Sequence, residues 1–104
     1  MNIGDNMVCI YSEDRAKKYD YMQKIDQIER EHFVKFNAYG DAIMDGAGFC
    51  DDIIDFGKNE GFKIDEEHMV VSKKRVVSNF IFTKENIIII TSHIIRRKGI
   101  KDYV

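Results

Sequence analysis

Two rhythms of hydrophobic and polar residues divide the chain. Over residues 13–36, Tyr21, Met22, Ile25, Ile28, Phe33 and Phe36 recur within one arc of a helical wheel, with His32 among them. Ser12 is expected to cap this helix, and Glu13 and Asp14 in its first turn suit the positive end of the dipole. The opposite face mixes Lys17, Lys18, Asp20, Lys24, Asp26, Glu31 and Lys35, a solvated surface with no single sign. In front of the helix, Met7, Val8, Cys9, Ile10 and Tyr11 predict a short strand, and residues 1–6 are expected to fray. Residues 37–40, Asn-Ala-Tyr-Gly, break the helical period, and Asp41 restarts it as the expected N-cap of a second helix over 41–58. Its apolar stripe is Ile43, Ala47, Cys50 and Ile54, flanked by Ile53.

Past Gly61 the helical rhythm is lost. Residues 69–71, 75–77 and 79–83 are rich in Val, Ile and Phe, and they lead into Asn86-Ile-Ile-Ile-Ile-Thr-Ser-His-Ile-Ile. A short apolar run fits either a buried strand or a buried helix segment, and the β-branching of its six isoleucines decides for the strand. Residues 87–95 are therefore predicted to be the buried strand of an antiparallel three-stranded meander, covered on both sides. The fold class is α+β: a short N-terminal strand, two helices, then the meander, in one domain spanning residues 1–104. A three-residue loop over 84–86, with Asn86 in the left-handed region, would close the last hairpin. It sets Thr83 opposite Ile87, Arg75 opposite Ile95, Lys74 opposite Arg96 and Lys73 opposite Arg97.

Charge changes this picture more than composition does. Residues 37–67 hold nine carboxylates against two lysines, a net of −7, while residues 68–104 hold eight cations against two acids, a net of +6. The overall −2 hides two opposed poles. On the second helix Asp41, Asp45, Asp52 and Asp55 fall on one side of the wheel with Asp51 beside them. Such a row repels itself and disfavours helix away from the N-terminus. In the meander, Lys73, Lys74 and Arg75 are expected to meet Arg96, Arg97 and Lys98 at the open end of the hairpin.

Little else carries chemistry. The glycines at 46, 48, 57 and 61 match neither phosphate-binding pattern, and His32, His68 and His93 lack companions at metal-ligand spacing. Thr91, Ser92 and His93 are strand neighbours, which point to alternate faces and cannot form a dyad. Cys9 and Cys50 sit among apolar residues and are expected to be reduced and buried. No cofactor, metal or catalytic group is assigned. With no secretory leader and no apolar run of ~20 residues, the expectation is a cytoplasmic protein without a membrane partner.

These patterns predict a non-enzymatic interaction or regulatory module, whose acidic helix docks a basic surface of a protein partner. A nucleic-acid-binding protein has such a surface, and the absence of Pro and Trp with heavy Ile, Lys, Asp and Asn fits an AT-rich phage or mobile element. Inhibition by charge mimicry is the corresponding role. Two alternatives stand beside it: a homodimer paired through its opposed poles, and, less favoured, nucleic-acid binding at the basic hairpin end.

Overall fold

In the structure, a computed structural model that describes residues 7–96 apart from the side chain of Ala47, one mixed sheet carries two helices on a single face. The elements are β1 (Met7–Tyr11), α1 (Arg15–His32), β2 (Phe33–Phe36), β3 (Ala42–Met44), α2 (Gly46–Asn59), β4 (Lys63–Ser72), β5 (Arg75–Lys84) and β6 (Ile87–Arg96). Strand order is β2-β3-β6-β5-β4, and β1 also pairs with β6. The fold class is α+β as expected, but the sheet has six strands where a three-stranded meander was predicted.

β6 is the strand the others are built on. One edge pairs antiparallel with β5 along its whole length, from Lys84↔Ile87 to Arg75↔Arg96. The other edge is shared: β1 pairs antiparallel with its first half (Tyr11↔Ile88 to Met7↔Ser92), and β3 runs parallel to its end (Ile43↔Ile94, Met44↔Ile95). The β5–β6 loop is two residues, Glu85 and Asn86, with Glu85 left-handed at φ 51°. Every pairing is thus displaced by one residue from the three-residue loop expected from sequence.

One predicted helix ends early and the other starts late. Phe33 to Phe36 leaves the helix for β2, where β-prone Phe33, Val34 and Phe36 favour extended backbone. Asn37 Oδ1 then accepts from the backbone N–H groups of Tyr39 and Asp41, and Gly40 turns the chain at φ 86° into β3. The N-cap of α1 is Asp14, whose carboxylate accepts from Lys17 N–H at 3.1 Å, and Ser12 instead accepts from Asp14 N–H. Asp45, not Asp41, caps α2. Ala42, Ile43 and Met44 are fully buried strand residues, so the stripe expected over 41–58 is displaced to Phe49, Cys50, Ile53 and Phe56.

At its far end α2 stops at Gly61 (φ 81°), with Gly61 N–H bonded to Lys58 O and Phe62 N–H to Gly57 O. Gly57 lies inside the helix for a separate reason. A Cβ there would stand 2.6 Å from the Phe82 ring and 2.7 Å from Ile64, so the helix reaches the sheet because that side chain is missing.

The core lies between the helices and one sheet face: Ile25 of α1, Phe49, Cys50 and Ile53 of α2, Phe80 and Phe82 of β5, Ile89 and Ile95 of β6. Tyr21, Phe56, Phe62 and Phe82 meet edge to face, an arrangement favoured by ring quadrupoles. The expectation that β6 is covered on both sides fails. Ile87, Ile89, Thr91, His93 and Ile95 face the helices and are buried, while Ile88 on the other face is 42% exposed and Ile90, Ser92 and Ile94 are half-buried.

Candidate functional site

The acidic residues predicted as one row are placed in three settings. Asp41 is in the β2–β3 turn, where its carboxylate accepts weakly from Asn37 Nδ2 at 3.4 Å. Asp45 accepts from Gly46 N–H and from the Arg96 guanidinium at 2.8 Å. Asp52 accepts from His32 Nε2 at 2.7 Å. Only Asp51, Asp52 and Asp55 lie on α2, and of these Asp51 and Asp55 are exposed. The row fails because three residues of β3 occupy what the wheel treated as the first helical turn.

A shallow open groove of about 400 Å³ runs between α1 and α2. Ile28 and Phe56 contribute its apolar lining, and Asp52, Asp55 and Glu60 stand along it. Lys24 is the cation in the groove, and it is held by Glu60 at 2.9 Å and Asp20 at 3.0 Å, contacts that raise its pKa. Asp55 makes no ion pair among the described residues.

At the basic pole, Lys73 and Lys74 form the β4–β5 turn, and Arg75 stands directly opposite Arg96. These four therefore share one end of the sheet, whereas Arg97 and Lys98 lie outside the described residues. Arg96 is drawn to Asp45, so part of each pole is satisfied by the other within the chain. That contact holds the Asp45 carboxyl below its ordinary 3.8, assisted by Gly46 N–H and opposed by partial burial.

Between the helices and the sheet lies a set of buried polar side chains that sequence patterns did not reveal. Glu29 of α1 accepts from His93 Nε2 of β6 at 2.7 Å, both side chains at 0% exposure. Glu29 Oε1, His93 Nδ1 and the Oγ1 of Thr91, on the same strand as His93, have no hydrogen-bond partner among the described residues. On β4 and β5, His68 Nδ1 and Ser78 Oγ are 2.7 Å apart, with Glu66 Oε1 3.6 Å from His68 Nε2 and Cys50 Sγ 3.9 Å from Ser78 Oγ. A serine, a histidine and a carboxylate in series resemble a hydrolytic triad, but Ser78 is fully buried under α2 and no substrate reaches it. Burial likewise pushes the Cys50 thiol up to about 11, so it stays protonated and inert. Both cysteines are free, Cys50 buried and Cys9 half-buried on the outer sheet face.

The hint for the Glu29–His93 pair was present in the chain. Tyr21, Ile25 and Glu29 are four apart and share the core-facing stripe of α1, so an acid there needs a buried partner.

Comparison of the chain with protein-family models, curated proteins and solved structures gives no match. Among the described residues no three His, Cys, Asp or Glu side chains converge as metal ligands, and no helix is long and apolar enough to cross a membrane.

Proposed function

We propose that the protein is a non-catalytic interaction module that docks a basic surface of a protein partner on its α1–α2 face. One observation carries this reading: the groove between the helices sets Asp52 and Asp55 beside Ile28 and Phe56. Lysine or arginine side chains fit such a surface, their stems against the apolar lining and their charged heads at the carboxylates. Exposed Asp51, next along α2, extends the same negative face. The burial of Ser78, Cys50, Glu29 and His93, which closes these four groups to solutes, supports a role without catalysis. A nucleic-acid-binding protein presents a basic surface of the required kind, and occupying it would make the module an inhibitor or regulator.

The test compares the wild type with Asp51→Lys/Asp55→Lys. Both positions are exposed, so the variant is expected to fold. The partner captured by the wild type from its native host should bind less tightly as salt rises, and should be lost by the variant. Equal capture by both proteins, insensitive to salt, would refute the docking face.

A further inference from the structure

The tip of the β4–β5 hairpin carries the chemistry that the α1–α2 groove would receive. The two strands are paired from Lys63↔Thr83 to Ser72↔Arg75, so Lys73 and Lys74 form a two-residue turn at the end of the sheet. Both lysines are exposed, and neither they nor Arg75 makes an ion pair among the described residues. Arg75 also stands directly opposite Arg96, where like charges repel. Just before the turn on β4, Met69, Val70 and Val71 are about half exposed. The tip is therefore a positive turn flanked by apolar side chains.

Its own chain offers it no seat in the groove. Arg96, opposite Arg75, is held by Asp45 at the start of α2, which places the turn at that end of the helix. The groove lies along the other half of α2, from Asp52 to Glu60, and begins roughly 10 Å further on. A turn fixed to two fully paired strands cannot bend back that far. The spacing within the groove suits two neighbouring lysines. Asp52 and Asp55 are one helical turn apart, about 5–6 Å between Cβ atoms. Successive Cα atoms are about 3.8 Å apart, and long lysine stems span the difference.

We propose that the α1–α2 groove of one copy takes the Lys73-Lys74 turn of a second copy, with the lysine heads at Asp52 and Asp55. The segment Met69 to Val71 then lies against the apolar lining at Ile28 and Phe56. Two such contacts close a homodimer about a two-fold axis, each copy's acidic pole against the other's basic pole. This assembly rests on the docking reading of the groove and gives that site a regulator. The dimer covers the groove, and a basic partner enters by displacing the second copy's turn. Exposed charge pairs are individually weak and screened by salt, which makes such a cover displaceable.

The experiment is sedimentation velocity on the full chain at low and high salt. It compares the wild type with a turn variant, Lys73→Glu/Lys74→Glu, and the groove variant Asp51→Lys/Asp55→Lys. All four substituted side chains are exposed, and circular dichroism checks that each variant is folded. The wild type should be a dimer at low salt and dissociate as salt rises. Each variant alone sets like charges across both contacts, so its dimer should be weaker by about tenfold or more. Mixed in equal amounts, the variants should form a one-to-one heterodimer, because one contact is native and the other has both signs reversed. A wild type that stays monomeric at low salt overturns the proposal, as do dimers that persist in both variants or variants that fail to associate when mixed. Capture of the host partner separates this assembly from the docking reading. The turn variant keeps its groove and should capture at least as much partner as the wild type; reduced capture would mean that the turn itself meets the partner, and overturns the proposal. A monomeric wild type that still captures a partner in a salt-sensitive way leaves the docking reading standing alone. A wild type that dimerises as described but captures nothing leaves the dimer and removes the docking reading.

Discussion

Asp45 is the residue at which the two charge poles touch. It opens α2, accepts from Gly46 N–H, and holds Arg96 at 2.8 Å across to the end of β6. Because its folded pKa lies below the unfolded one, its charge stabilises the protein at neutral pH, and that contribution disappears as pH falls through the folded value. Both side chains are about half exposed (48% and 41%), so solvent screening keeps the gain under about 1 kcal/mol. Asn is as good an N-cap as Asp, which makes Asp45→Asn a clean probe of the charge. The variant should melt slightly below the wild type near neutral pH, and the two curves should converge below about pH 4. A gap in melting temperature that persists into strong acid would show that Arg96 is not its source.

Lys84 shows a different economy at the same scale. Its ammonium donates to Glu60 O at 2.6 Å and to Tyr21 Oη at 3.1 Å, and stands 4.7 Å from the centre of the Phe62 ring. One cation thus satisfies a carbonyl at the C-terminus of α2 while anchoring α1 and β5 to the same aromatic cluster.

Among elements, α1 is joined to the sheet by the buried Glu29–His93 contact as well as by Tyr21 and Ile25. Removing one member of a buried pair leaves the other stranded, at a cost of about 3–5 kcal/mol, while replacing both with apolar residues costs far less or nothing. Glu29→Leu and His93→Leu should each lower the urea midpoint strongly, and the double variant should recover most of the loss. Additive losses in the double variant would mean that the two side chains do not depend on each other.

How much of this was legible in the sequence differs from element to element. Strands β5 and β6 were readable because both are dense in β-branched and aromatic side chains, which favour strand over helix. Their register was off by one because the loop was assigned by placing Asn86 in the left-handed region, a conformation that Glu85 adopts at φ 51°. The strands β2 and β3 were hidden for a different reason. They have four and three residues, too short for a period to show, and β3 is buried by its neighbours and not by any pattern of its own. Misreading β3 as a helical turn also generated the aspartate row, since Asp41 and Asp45 flank it at a spacing of four. Of the predicted acidic face, Asp51, Asp52 and Asp55 share α2, and the groove they border depends on how α1 packs, which no single-helix wheel contains.

At the scale of the molecule, β6 is the common partner of β1, β3 and β5. Without it the pairings left are two hairpins, β2 with β3 and β4 with β5, neither of which has a sheet to belong to. β1 must join a strand some eighty residues away, as Met7↔Ser92 and Tyr11↔Ile88 require, and contacts of such long range slow folding. The ribosome makes β6 after every strand it organises. A nascent chain that has reached Glu85 already exposes Phe80, Phe82 and the apolar faces of both helices with nothing to close over them. It must wait, and proteases and chaperones have that interval in which to act. A chain stopped at Glu85 should accordingly show no cooperative thermal transition, and pulse proteolysis of stalled nascent chains should find protection appearing abruptly once β6 has emerged. Protection building up gradually from the N-terminal helices onward would contradict a molecule whose keystone is made after the elements it joins.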